Sequence, residues 1–183
     1  MAYAAALSKA WAELKALTED NNFKIRFMDD DYAIDLKEKR VLSVSCNSLA
    51  KDHYSILILH YLCQKIKGLS PMQGVWISFK ELPGGQAYYP TYKKRVLETI
   101  LRKYKDNPEA LLELNQRFPC RSEKLADISV VLEAMQEVQT LITFWRGDEE
   151  FGPEANVLFD KNINEVFCTE DIVVLAEIIA HKI

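Results

Sequence analysis

The chain has 183 residues, 49% hydrophobic, 10% aromatic and 27% charged, with a formal net charge of −4. These are the values of an ordinary folded protein, and they exclude a disordered, collagen-like or disulfide-scaffold chain. The mildly acidic balance also argues against nucleic-acid binding, which depends on neutralising phosphates.

In chain order, a helix is predicted over residues 4–17, with Leu7, Trp11, Leu14 and Leu17 spaced by three and four. Phe23, Ile25 and Phe27 then alternate with Lys24 and Arg26, as in a half-buried strand. Asp29, Asp30 and Asp31 read as a turn. A second strand carries Tyr32, Ile34 and Leu36, and a third covers residues 41–44, which together suggest an antiparallel meander. Ser48 is placed to cap a core helix over about residues 50–67 that ends at Gly68. A strand over residues 75–79 turns at Leu82-Pro83-Gly84-Gly85. A helix is predicted over residues 90–104, and another after Asn107 with Pro108 in its first turn. Strands are expected at residues 128–132, 138–145 and 155–159, before a last helix capped by Thr169. No βαβ rhythm is sustained. The predicted class is α+β, a mostly antiparallel sheet packed with about five helices. A single domain over residues 1–183 is long enough to bury a core without a metal or disulfide.

No apolar run approaches the roughly 18 residues of a membrane span. The alanine-rich start over residues 1–6 meets Lys9 and Glu13 at once and lacks the pattern of a signal peptide, so a cytoplasmic location and no membrane contact are expected. Cys46, Cys63, Cys120 and Cys168 are dispersed, with no C-x-x-C or zinc-ribbon spacing. They read as reduced thiols.

Two strings stand out. The first follows a strand and contains Trp76, Ser78, Lys80, Glu81, Gly84, Gly85 and Tyr88. Paired glycines there would either make a structural turn or let the backbone approach a phosphate or cofactor beside apolar rings. The second is Trp145-Arg146-Gly147-Asp148-Glu149-Glu150-Phe151. It reads as a solvated acidic turn, a docking surface, or, with Asp160 close by, a cluster of oxygen ligands for a divalent cation. Its spacing is not that of an EF-hand. His53, His60 and Cys63 fall on roughly one face of the predicted core helix. That face is either ordinary packing or a ligand set for a metal or tetrapyrrole.

Three strings taken together carry a resemblance. They are residues 76–85, residues 145–151, and Leu158-Phe159-Asp160 with Thr169-Glu170-Asp171 before the last helix. In that order and spacing the chain resembles an uncharacterised bacterial and archaeal family, domain-of-unknown-function family 3786, found mostly in anaerobes. The resemblance covers nearly the whole chain. It implies a link to anaerobic redox or corrinoid and iron–sulfur metabolism, since longer relatives join this domain to a small cysteine-rich one. It assigns no catalytic residue.

The leading expectation is a cytoplasmic accessory or ligand-binding domain. It would take a small-molecule cofactor, of unidentified kind, or a redox partner protein at residues 82–85 and 145–150. One alternative is a metal-assisted enzyme using Asp148, Glu149 and Glu150. Another is a protein–protein interaction module, a homodimer among the options.

Overall fold

A computed structural model describes residues 3–183; the alanine-rich start includes Met1 and Ala2, which lie outside the described residues. The fold is α+β, and every strand pairing is antiparallel. The chain divides into two compact units, Met1–Ser70 and Pro71–Ile183, each with its own sheet.

The first unit contains α1 (Ala4–Leu17), the strands β1 (Asn22–Phe27), β2 (Asp30–Asp35), β3 (Arg40–Ser43) and β4 (Ser48–Leu49), and α2 (Asp52–Lys67). The strands form a meander in the order β1-β2-β3-β4. Period-two alternation sends Ile25, Phe27, Ile34 and Val41 inward. α1 contributes Trp11 and Leu14, and α2 contributes Leu57, Leu59 and Leu62. The two helices pack together, tied at the surface by Lys67 Nζ and Glu13 at 2.8 Å. Ser48 does not cap α2. It pairs with Ser43 in β4, and Lys51 occupies the cap position with no side-chain bond. Asp30 is not in a loose turn either. It opens β2 in phase with Tyr32 and Ile34 and is buried with them.

The second unit contains β5 (Trp76–Ser78), a 3-10 turn (Phe79–Glu81), α3 (Gly85–Tyr92), a π-helical turn (Lys93–Leu97) and α4 (Glu98–Tyr104). A 3-10 segment (Pro108–Gln116) follows, then β6 (Cys120–Glu123), β7 (Ile128–Met135), β8 (Val138–Trp145), β9 (Glu154–Asp160), α5 (Ile163–Val166) and α6 (Thr169–Lys182). The sheet order is β5-β9-β8-β7-β6. β7 and β8 are buried on both faces, which explains their near-continuous apolar sequence.

Local chemistry moved three predicted boundaries. The helix expected from Pro90 begins at Gly85, so Pro90 lies inside α3 and forgoes one intrahelical bond. The segment after Asn107 is 3-10 rather than α-helical. Cys168, not Thr169, holds the cap position of α6; the Thr169 hydroxyl instead donates to the Pro83 carbonyl at 2.8 Å.

Candidate functional site

The first string builds a turn. The Ser78 main-chain N–H donates to Glu81 Oε2 at 2.6 Å, and the Ser78 side chain accepts from the Glu81 main chain, a reciprocal capping box. The Ser78 N–H bond holds the Glu81 carboxyl below its ordinary value. Lys80 Nζ lies 4.2 Å from the Tyr89 ring centre, a cation–π contact. Gly84 has φ +72°, a left-handed conformation that suits glycine. Gly85 is required by close approach, because a Cβ there would lie 2.0 Å from the Phe79 carbonyl oxygen. The tight approach is to the protein's own backbone. Tyr88 is 40% exposed, with its ring 6.5 Å from that of Phe79, and Trp76 is half-buried.

The second string forms a closed acidic loop. The Asp148 carboxylate accepts the main-chain N–H groups of Phe151 at 2.7 Å and Glu150 at 2.9 Å. Those bonds hold its carboxyl below the ordinary value, the Phe151 bond first. The Arg146 main-chain N–H donates to Asp127 Oδ2 at 2.8 Å, and its guanidinium pairs with Glu109. Glu149 and Glu150 are exposed. Trp145 is 39% exposed and Phe151 70%. Two aromatic rings therefore stand in solvent among carboxylates.

The sheet register separates the two strings. Trp76 pairs with Asp160 at one end of β9, while Trp145 pairs with Glu154 at the other. A span of six residues at about 3.3 Å each is about 20 Å. Asp160 is thus remote from Asp148, Glu149 and Glu150, and these carboxylates do not converge on one ion. Asp160 has another task. It is 2% exposed and accepts main-chain N–H groups from Gly74 at 2.7 Å, Gln73 at 2.9 Å and Asn162 at 3.0 Å. It anchors the loop that leads into β5.

His53, His60 and Cys63 lie on α2. Seven residues separate His53 from His60, an axial rise of about 10 Å. His53 packs 5.0 Å from the Tyr54 ring, and His60 lies close enough to Glu13 for their charges to interact. Cys63 is 1% exposed, and burial, then the Glu13 charge, pushes its thiol up to about 11. At neutral pH it is a protonated, packed thiol. Among the described residues, no group of three or more His, Cys, Asp or Glu side chains is arranged to hold a metal ion.

A family model described as Domain of unknown function (DUF3786) matches residues 6–182. The chain belongs to that family. No curated protein and no solved structure matches it. Among the described residues of this DUF3786 chain, no helix is long and apolar enough to cross a membrane.

Two features escaped the sequence. In the first unit of the DUF3786 chain, the buried Asp30 carboxylate accepts the Ser43 hydroxyl at 2.5 Å and the Ser45 main-chain N–H at 3.1 Å. Burial pushes that carboxyl up, but the hydrogen bonds outweigh it and hold it below its ordinary value. Its phase with Tyr32 and Ile34 was the available signal. In the second unit, a cavity of about 340 Å³ opens beside the end of α4 and the 3-10 segment, with Lys103, Tyr104 and Arg117 on its wall. Residues so far apart in the sequence gave no motif.

Proposed function

We propose that this chain is a cytoplasmic accessory domain that docks a partner protein through the Trp145–Glu154 end of its second sheet. The observation that carries the reading is the pair of exposed rings, Trp145 and Phe151, set among carboxylates. Glu109, Asp127, Asp148, Glu149, Glu150 and Glu154 lie at that end against Arg146, which is already paired with Glu109. Lys105 and Lys124 are further cations close to Glu109 and Asp127 in the sequence. Exposed aromatic anchors within a charged rim are the usual makings of an interface. The charge selects a basic partner and speeds encounter by electrostatic attraction. The link to anaerobic redox metabolism that the family resemblance carries makes a basic electron-carrier protein the first class to test.

Cross-linking in host extract, with the captured protein identified and purified, tests this. The expected result is one basic protein that binds the wild-type chain and is released by salt. Trp145→Ser and Phe151→Ser should each weaken binding by about tenfold or more, the scale of a hot-spot residue. Binding unchanged by both substitutions and by salt would overturn the reading. Self-association through the same rings would replace it with a homodimer.

A further inference from the structure

β6 ends the second sheet, and among the described residues no strand pairs with its outer side. Its Arg121, Ser122 and Glu123 are exposed. The ladder decides which main-chain groups face outward. The Glu133 N–H donates to the Pro119 carbonyl at 2.9 Å, and Cys120 pairs with Leu132, so Pro119 and Glu133 form a hydrogen-bonded pair. Such pairs alternate along an antiparallel ladder, so Arg121 and Glu123 also turn their main chains toward β7. Cys120 and Ser122 turn theirs outward, where a further strand can take them.

Edge strands often carry charges that repel a second strand. The charges on β6 do the opposite, because they differ in sign and stand symmetrically about Ser122. An antiparallel pairing of two copies must set outward-facing residues opposite each other. Centred on Arg121 or on Glu123, it places like charges face to face, which is destabilising. Centred on Ser122, it places Arg121 of each copy opposite Glu123 of the other, and the two Ser122 main chains exchange both hydrogen bonds. Arg121 Nε already lies 3.3 Å from Glu123 Oε1 on one face of the strand, so the second copy completes a ring of four alternating charges. The same register brings the Leu125 loop of one copy to the Pro119 end of the other. Leu125 is 57% exposed and Pro119 is exposed, so the contact also covers apolar surface.

We propose that the β6 edge pairs with the β6 edge of a second copy of this chain, antiparallel about a two-fold axis at Ser122, with Arg121 and Glu123 selecting the register. The two five-stranded sheets then run on as one. Each copy has one such edge, so the pairing closes at a dimer. The contact is small, which makes the dimer weak and reversible, with a Kd on the order of 100 μM. The Trp145–Glu154 end takes no part in it.

Sedimentation equilibrium of the full chain up to about 1 mM, ten times that Kd, tests this. The wild type should dimerise. Arg121→Glu and Glu123→Arg should each weaken the dimer by about tenfold or more, since each sets like charges opposite one another. Mixed in equal amounts, the two variants should pair with each other at about wild-type strength, because the opposite charges then face again. Recovery on mixing is a readout that mere damage to the fold would not give. Ser122→Pro removes an outward N–H that β7 does not use, so it should fold normally and lose the dimer. It remains decisive if a charge variant does not fold. Trp145→Ser should leave the dimer unchanged, which separates it from self-association through the exposed rings. A wild type that stays monomeric at about 1 mM would overturn the proposal. So would a dimer that Ser122→Pro leaves at wild-type strength, or folded charge variants that fail to pair on mixing.

Discussion

Trp76 on β5 and Trp145 on β8 pair with opposite ends of β9, with Asp160 and Glu154 respectively. The consequence is two different electrostatic settings for two indoles on one sheet. Trp145 is 39% exposed beside carboxylates, Trp76 is half-buried, and Trp11 is 4% exposed. Caesium should therefore quench Trp145 fluorescence more strongly than iodide does, because the acidic loop attracts the cation and repels the anion. The difference should shrink at about 1 M salt, where the screening length falls to about 3 Å. Trp145→Phe should abolish the difference, and its cost in stability should stay within about 0.5 kcal/mol, as for other surface changes. Equal quenching by both ions at low salt would contradict the acidic setting.

Gly84 and Gly85 separate two physical reasons for glycine. Gly84 needs only its left-handed φ, with open space where a Cβ would stand. Gly84→Ala should cost about 1–2 kcal/mol, the penalty of a side chain in that conformation. Gly85 has an ordinary φ but no room, with the Phe79 carbonyl 2.0 Å from the Cβ position. Gly85→Ala should cost more, about 3 kcal/mol, because backbone must move. Urea unfolding of the two variants orders them. A Gly85→Ala loss no larger than that of Gly84→Ala would mean that the 3-10 turn yields easily.

The elements legible in the sequence were those where one force dominated. Ile25, Phe27 and Ile34 alternate because one face of a meander is buried, and Trp11 and Leu14 repeat at helical spacing for the same reason. β6 was not legible. It is an edge strand whose Arg121, Ser122 and Glu123 are all exposed, so no burial pattern marks it. Pro90 misled because proline favours a helix start, yet the helix starts at Gly85, five residues earlier, with Gly84 as its cap. The candidate strings were legible as unusual residues but not as a place. Whether Trp76 and Trp145 share a surface depends on strand register, a long-range property absent from either string. Lys103 and Arg117 form no motif at all and meet only through the folded segment between them.

Asp30 links the meander to acid stability. Its carboxyl lies below its ordinary value in the folded chain, held there by Ser43 and Ser45 against the effect of burial. Its stabilising contribution is therefore fully present above the unfolded value near 3.9 and is lost as pH falls through the lower folded value. Asp30→Asn should cost about 1–3 kcal/mol at neutral pH, the price of a buried acceptor replaced by a poorer one. It should also flatten the loss of stability on acidification below about pH 4. Unfolding measured from pH 7 to 2 checks both. An Asp30→Asn curve parallel to that of the wild type would show that Asp30 does not carry the linkage.

Cysteine reactivity should single out Cys46. It is exposed on the loop after β3, with Sγ 3.6 Å from the Ser45 hydroxyl oxygen. Burial pushes the Cys63 thiol up to about 11 and also raises Cys120, while Cys168, although exposed as a residue, has its thiol turned toward α6 and Asp171, where lost hydration and the Asp171 charge push it up to about 11. Cys168 is further set apart because its thiol lies 3.3 Å from the Asp171 carboxylate. A thiol with a pKa of about 11 is only about 0.1% thiolate at pH 8, and the thiolate is the reactive form. An aromatic disulfide reagent at pH 8 should therefore show a single fast phase, which Cys46→Ser removes. Urea should then bring the remaining thiols to a common rate, since unfolding returns them to about 8.5. A fast phase that survives Cys46→Ser and disappears with Cys168→Ser would mean that the Asp171 contact does not protect Cys168.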